Sequence, residues 1–228
     1  MPFVRRYWLL GLLVAVGMVV LAAVPPLLYW HTQRPWQHMV NLDYYYQAKI
    51  ASASPHDRNP RNNLAQLPAG HRTFDGVRFN VAGVIQLANG DDAAQTNNPY
   101  PVSVEDIPVN RFCRQLHLLH GTTQGLDDPR VVASLVLHYA DGTTNRLDIV
   151  YGQNVYDWWF KGSADVSLAD NTRVAWVGQN PQAAAEGYRI RIFKSSFDNP
   201  RPDVRITTVD YVSGLTSSGP FLVALTVE

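Results

Sequence analysis

Val131-Val132-Ala133-Ser134-Leu135-Val136-Leu137-His138-Tyr139 runs into Ala140-Asp141-Gly142-Thr143 and returns through Asn145-Arg146-Leu147-Asp148-Ile149-Val150-Tyr151. Val131, Ala133, Leu135, Leu137 and Tyr139 occupy every second position of the first run. Leu147, Ile149 and Tyr151 do the same on the return, between Arg146, Asp148 and Val150. A period of two places such residues on one face of a strand, buried, with the other face wet. Asp-Gly between two alternating runs predicts a two-residue hairpin turn, because both central residues tolerate positive φ.

Working outward, the same period recurs. Val77, Phe79 and Val81 alternate with Arg78 and Asn80; Tyr188, Ile190 and Ile192 with Arg189 and Arg191; Val204 and Ile206 with Arg205 and Thr207. Phe221, Val223, Leu225 and Val227 close the chain. About eight to ten short strands at irregular spacing predict an all-β fold, an antiparallel β-sandwich or jelly roll. The domain is expected over residues 68–228, its first strand starting between Asn41 and Thr73.

Residues 7–30 form a run of 24 without a charge. As a helix it reaches about 36 Å, enough to span a bilayer with some tilt. Arg5 and Arg6 precede it, and Tyr7, Trp8, Tyr29 and Trp30 sit at its ends, where amphipathic rings favour the interface. Pro25 and Pro26 fall near its outer end. The reading is one transmembrane helix, with residues 1–6 cytoplasmic and the β domain extracytoplasmic, periplasmic or at the cell surface. The rival is a cleaved signal peptide; the run exceeds the usual apolar core of one, and Ala22 after Val20 is a weak cleavage site. Residues 31–67 read as a juxtamembrane strap, with Trp36, Met39, Val40 and Tyr44 at rough helical spacing after Pro35 and a polar loop over 52–63.

The full chain has 19 Lys+Arg and 19 Asp+Glu. From residue 70 onward there are 13 basic and 17 acidic residues, a net of −4, so a basic footprint for nucleic acid is missing. The lone cysteine, Cys113, cannot form an intrachain disulfide and reads as a buried structural thiol.

Asp157-Trp158-Trp159, after Gly152-Gln153-Asn154, is the leading ligand-binding candidate. Neighbouring Trp side chains on a strand point to opposite faces, so one can be core while the other is exposed. An exposed indole stacks on a sugar ring while a carboxylate such as Asp157 or an amide such as Asn154 binds hydroxyls. The competing reading packs both indoles inside the sandwich. Trp176, with Gln179 and Asn180, is a second candidate. His117 and His120 are three apart, which sends them to opposite faces of a strand and argues against a shared metal; pairing with His138 across strands stays open. The acidic pairs Asp91-Asp92, Glu105-Asp106 and Asp127-Asp128 read as solvated turns, a structural Ca²⁺ being conceivable but without a recognised ligand spacing. No cofactor, catalytic residue or metal site is assigned. Ser195-Ser196 and Ser217-Ser218 lack a nucleophile-elbow pattern, and no phosphate loop or dinucleotide fingerprint occurs.

Thr73-Phe74-Asp75-Gly76-Val77-Arg78-Phe79, Leu116-His117-Leu118-Leu119-His120-Gly121, Tyr139-Ala140-Asp141-Gly142, Asp157-Trp158-Trp159 and Asn199-Pro200 followed by residues 204–209 together resemble bacterial β-jelly-roll domains. These are similar to the galactose-binding-domain fold and the novel carbohydrate-binding module type. The resemblance spans roughly residues 67–228 and implies a jelly roll of the binding-module class, without fixing a site residue. Such modules usually accompany a catalytic domain, whereas this one follows an anchor. Three functions are weighed: a non-catalytic glycan-binding module, a structural or protein-interaction domain of the envelope, and a glycan-acting hydrolase.

Overall fold

The computed structural model describes residues 37–53, 55, 59–163 and 165–228. The expected membrane span over 7–30, and residues 1–6 before it, lie outside them. Among the described residues no helix is long and apolar enough to cross a membrane.

In chain order the strands are β1 (His38–Met39), β2 (Ala48–Lys49), β3 (Gly70–Phe74), β4 (Val77–Val81), β5 (Gly83–Gln86), β6 (Ser103–Arg111) and β7 (Gln115–Thr123). They continue as β8 (Val131–Tyr139), β9 (Thr144–Val150), β10 (Trp159–Phe160), β11 (Thr172–Gly178), β12 (Arg189–Asp198), β13 (Ile206–Ser213) and β14 (Gly219–Val227). The helices are short: α1 (Gly90–Ala93), closed by an Asn89–Asp92 capping box, and α2 (Pro181–Ala185), capped by Asn180. The fold is an all-β antiparallel sandwich. One sheet has the order β10-β12-β7-β14-β5-β2, with β1 also on β14 and β11 also on β12; the other is β6-β13-β8-β9.

Alternation works as expected where one face of a strand is open. β9 buries Ile149 and half-buries Leu147 while Arg146 and Asp148 stay in water. It fails at the centre of the larger sheet. All nine residues of β14 are buried, and eight of nine in β7. The reason is a third layer. Leu116, Leu118, Leu222, Leu225 and Val227 face the core between the sheets. Leu119, Phe221 and Val223 face a second cluster with Phe79, Val81, Ile50, Leu64 and Ala183. That second cluster is roofed by the β3–β4 hairpin, a 3₁₀ turn over Ile50–Ser52 and α2. The expected wet face of the closing strand is therefore a second apolar interface.

The strap expected over 31–67 is corrected from residue 37 onward. His38 and Met39 pair with Val227 and Thr226, and Val40, Leu42, Ile50, Leu64 and Leu67 are fully or almost fully buried. The helical spacing read at Met39, Val40 and Tyr44 is not realised. This segment runs extended along β14 and closes the side of the sandwich, Val40 and Leu42 entering the core while the Tyr45 hydroxyl donates to the Asp106 carbonyl of β6.

The turn expected at Asp141-Gly142 takes a different form. At Ala140-Asp141-Gly142 only Gly142 has positive φ, and Gly142 N donates to Tyr139 O while Tyr139 N donates to Thr143 O. That is a three-residue connection with a glycine bulge. Asp141 stays out of the left-handed region because its carboxylate accepts from Thr143 N and from Arg201. The two-residue turn with both central residues at positive φ is Asp75-Gly76, between Phe74 and Val77. Its Asp75 accepts from Lys194 Nζ at 3.0 Å, which pins the hairpin to the larger sheet.

Each polar group in the core needs a partner. His120 Nε2 meets Ser195 Oγ at 2.8 Å, and Ser195 donates to Asn154 O. Burial holds His120 well below the usual histidine range, so it is neutral. His117, on the other face of β7, meets Ser196 Oγ, and His138 lies 2.6 Å from Asp210 on the smaller sheet. The three histidines thus occupy separate sites. Cys113 is buried and its thiol is pushed up to about 11 by burial, as an inert core thiol requires.

The Tyr211 hydroxyl is fully buried with no hydrogen-bond partner among the described residues. Replacing it by phenylalanine removes an unsatisfied group and keeps the ring. Tyr211→Phe is expected to raise stability by about 1 kcal/mol in a denaturant titration. A loss of that size instead would mean the hydroxyl is satisfied.

Candidate functional site

Segment 157–160 is wedged between the end of β7 and the start of β12. Trp158 N donates to Thr122 O at 2.9 Å, and Arg191 N donates to Trp158 O at 2.8 Å. This grip decides which indole goes inward. Trp158 is 2% exposed and packs edge-on against Phe221, ring centres 5.8 Å apart. It belongs to the core and, although it reaches the wall of the cleft, exposes too little of its indole to serve as the stacking face. Trp159 takes the opposite direction and is half-buried.

Trp159 borders a cleft of about 340 Å³ together with Asp157, Tyr188, Glu186, Asn62 and Gln124. Its ring lies 5.3 Å from that of Tyr188 at 43°, and Lys161 Nζ sits 4.1 Å above the Tyr188 ring. Trp159 Nε1 donates to Asn62 Oδ1 at 3.2 Å, which fixes the indole. Asn62 Oδ1 also accepts from Asn180 Nδ2 at 3.0 Å, so the residue that caps α2 also orients the aromatic platform.

Asp157 forms the polar wall. Its Oδ1 accepts from Trp159 N at 3.0 Å, and its main-chain oxygen accepts from Arg191 Nε at 3.1 Å. Burial raises its carboxyl to about 6, opposed by the Trp159 N–H and the Arg191 charge. Arg191 is itself 5% exposed, its guanidinium 5.0 Å from the Phe160 ring centre and 5.3 Å from that of Phe193.

The raised carboxyl sets a pH dependence of stability. The folded state holds the proton more tightly than the unfolded chain, where the value is near 3.8. Stability is therefore highest at low pH in this respect and declines as pH rises through the window from about 4 to 6. Asp157→Asn keeps the acceptor for Trp159 N and removes the ionisation. The variant is expected to gain about 2 kcal/mol on wild type between pH 4 and pH 7. Parallel stability profiles of the two proteins across that range would contradict it.

The remaining candidates lie elsewhere. Asn154 is buried and acts as a clamp: Oδ1 accepts from Val150 N, while Nδ2 donates to Asn171 and Thr172. It faces no ligand space, because both ends of its amide are used in closing the turn after β9. Trp176 is half-buried and lies on its own strand; a Cβ on Gly178 would come within 2.1 Å of its ring. It packs on the outer cluster and does not line the cleft. Gln179 donates to Tyr188 O. The structure thus joins Asp157 and Trp159 to Tyr188, Asn62, Glu186 and Gln124, four residues that the sequence did not single out. Tyr188 was readable as an aromatic opening a strand, but its distance along the chain hid the pairing with Trp159.

Among the described residues no group of three His, Cys, Asp or Glu side chains could hold a metal ion. No protein-family model matches the chain, and no curated protein matches it.

Proposed function

We propose that this chain is a membrane-tethered, extracytoplasmic glycan-binding module, with the Trp159–Tyr188 cleft as its sugar site. The observation that carries the reading is the aromatic pair itself. Two rings, fixed by Asn62 and Lys161, edge a cleft whose lining includes the carboxylates of Asp157 and Glu186 and the amides of Asn62 and Gln124, beside Thr123, Pro55 and the margin of Trp158. Pyranose rings need this combination, an apolar face to stack and hydrogen-bonding groups for the hydroxyls. Asp157 and Glu186 disfavour uronic-acid and sulfated glycans by like-charge repulsion, so the ligand class is a neutral glycan.

The strand order supports the jelly-roll form of the sandwich. Counting eight strands from β5, with β10 and β11 left aside as additions on β12, one sheet joins the first, eighth, third and sixth strands. The other joins the second, seventh, fourth and fifth. Early strands nest against late ones, as two linked Greek keys produce. That topology suits the resemblance to galactose-binding-like modules, and the uncharged run over 7–30 supplies the tether.

Affinity electrophoresis of the purified chain through gels containing neutral and acidic polysaccharides tests the reading. Retardation by at least one neutral polysaccharide, and none by the acidic ones, is expected. Free migration in every gel would sink it.

A further inference from the structure

One pole of the sandwich carries a feature that the cleft does not use. The described chain begins there. Gln37 Nε2 donates to Glu228 Oε2 at 2.9 Å, and Gln37 Oε1 accepts from Arg78 N at 3.0 Å. Glu228 O in turn accepts from Arg114 N and Gln115 N, so the loop between β6 and β7 lies at the same pole. This loop holds Phe112 out in water, 64% exposed, between the exposed Arg111 and Arg114. The β6–β13 ladder pairs Arg111 with Ile206, and one further step brings exposed Arg205 opposite Phe112.

The loop is held from beneath. Asn199 N donates to Arg114 O at 2.7 Å, and Asn199 Nδ2 donates to Cys113 O at 2.9 Å, with the Cys113 side chain buried. The ring is therefore presented by a fixed support. Of the acids near it, Asp141 is engaged by Arg201 at 2.7 Å, Glu228 by Gln37 and by His117 at 3.5 Å, and Asp198 by the Gln115 amide at 2.8 Å, while Asp198 and Asp203 are both exposed. An apolar ring among guanidinium groups matches a lipid surface, where the ring enters the interface and the cations stay with phosphates.

We infer that this pole stands on the anionic headgroups of the membrane, Phe112 at the interface and Arg111, Arg114 and Arg205 against lipid phosphates. The inference rests on reading residues 7–30 as a membrane span, and not on the identity of the ligand. Six residues lie between Trp30 and Gln37, and a fully extended chain over those seven steps reaches at most about 25 Å. The β domain is therefore entered from the tether at this pole. β7 runs from Gln115 at this pole to Thr123 beside the cleft, nine residues. At about 3.3 Å each, this separates the cleft from the pole by roughly 27 Å.

The test uses the full chain reconstituted in nanodiscs of phosphatidylcholine with phosphatidylglycerol, the background being Cys113→Ala. An environment-sensitive dye is attached at Phe112→Cys or, on the opposite pole, at Asp127→Cys. The expected result is a blue-shifted emission at position 112 that nitroxide-labelled lipid quenches at least twofold, and an unshifted, unquenched dye at position 127. Arg111→Gln, Arg114→Gln and Arg205→Gln combined should remove most of the quenching, each arginine being worth about fivefold in partitioning. A water-exposed dye at position 112, with the chain inserted by flotation, overturns the inference and leaves the span standing. A blue shift without lipid quenching assigns the loop to a second copy of the chain and overturns the lipid assignment. Failure of the chain to float overturns the span and this inference together, while glycan retardation is unaffected by either outcome.

Discussion

Trp158→Ala lowers the stability of the domain by about 3–5 kcal/mol, measured as the shift in a denaturant titration. The indole is almost fully buried in the cluster that includes Leu119, Ile190 and Phe221, and it packs edge-on with Phe221. Removing it opens a cavity in the cluster beneath the third layer. The loss is a large share of the roughly 5–15 kcal/mol that a domain commonly possesses. Trp159→Ala, one residue on, removes a half-buried ring and one hydrogen bond to an Asn62 that keeps its bond to Asn180. Its cost is expected near 1 kcal/mol. Equal losses in the two variants would mean that the inward and outward assignments are wrong.

The ranking reverses for binding. Trp159→Ala and Tyr188→Ala should each weaken retention by a neutral polysaccharide about 30-fold, the effect of losing a binding hot spot of about 2 kcal/mol. Trp176→Ala and Asn154→Ala should leave retention of the folded protein unchanged, since neither side chain lines the cleft. The first pair removes the stacking surface, while the second alters the packing of β11 and the turn after β9.

The sequence carried the sandwich in its alternating runs and misplaced its outer layer. Alternation was legible in β8 and β9 because the smaller sheet has one open face. It was ambiguous in β14, where Phe221 and Val223 face one apolar cluster and Leu222 and Leu225 the other. A strand buried on both sides has no polar phase to read. Residues 37–67 were illegible for another reason. Val40, Leu42, Ile50, Leu64 and Leu67 are buried at spacings that keep no single period, because an irregular segment wraps an existing sheet. The turn chemistry identified Asp141-Gly142 as a turn but not its length, and Asp75-Gly76 went unread as a turn. That was settled by what Asp141 could bind, Thr143 and Arg201.

At the site, alternation gave the right rule for Trp158 and Trp159, opposite faces, without saying which was inside. The wedge between β7 and β12 makes that choice through Trp158 N and Trp158 O, both main-chain contacts invisible to side-chain pattern. Asn62 is 97 residues from Trp159 along the chain, and its loop reads as an ordinary polar connector. Asp157 was found as a carboxylate beside indoles; its displacement to about 6 needed the burial that only the folded arrangement supplies.

The most direct measurement is a titration of the protein with the neutral oligosaccharide of whichever polysaccharide retards it, followed by tryptophan emission in wild type and in Trp159→Phe. A sugar seated on Trp159 predicts a saturable emission change in wild type that is largely lost in the variant while Trp158 stays in its core environment. A saturable change of equal size in both proteins would place the sugar elsewhere and contradict the cleft as the binding site.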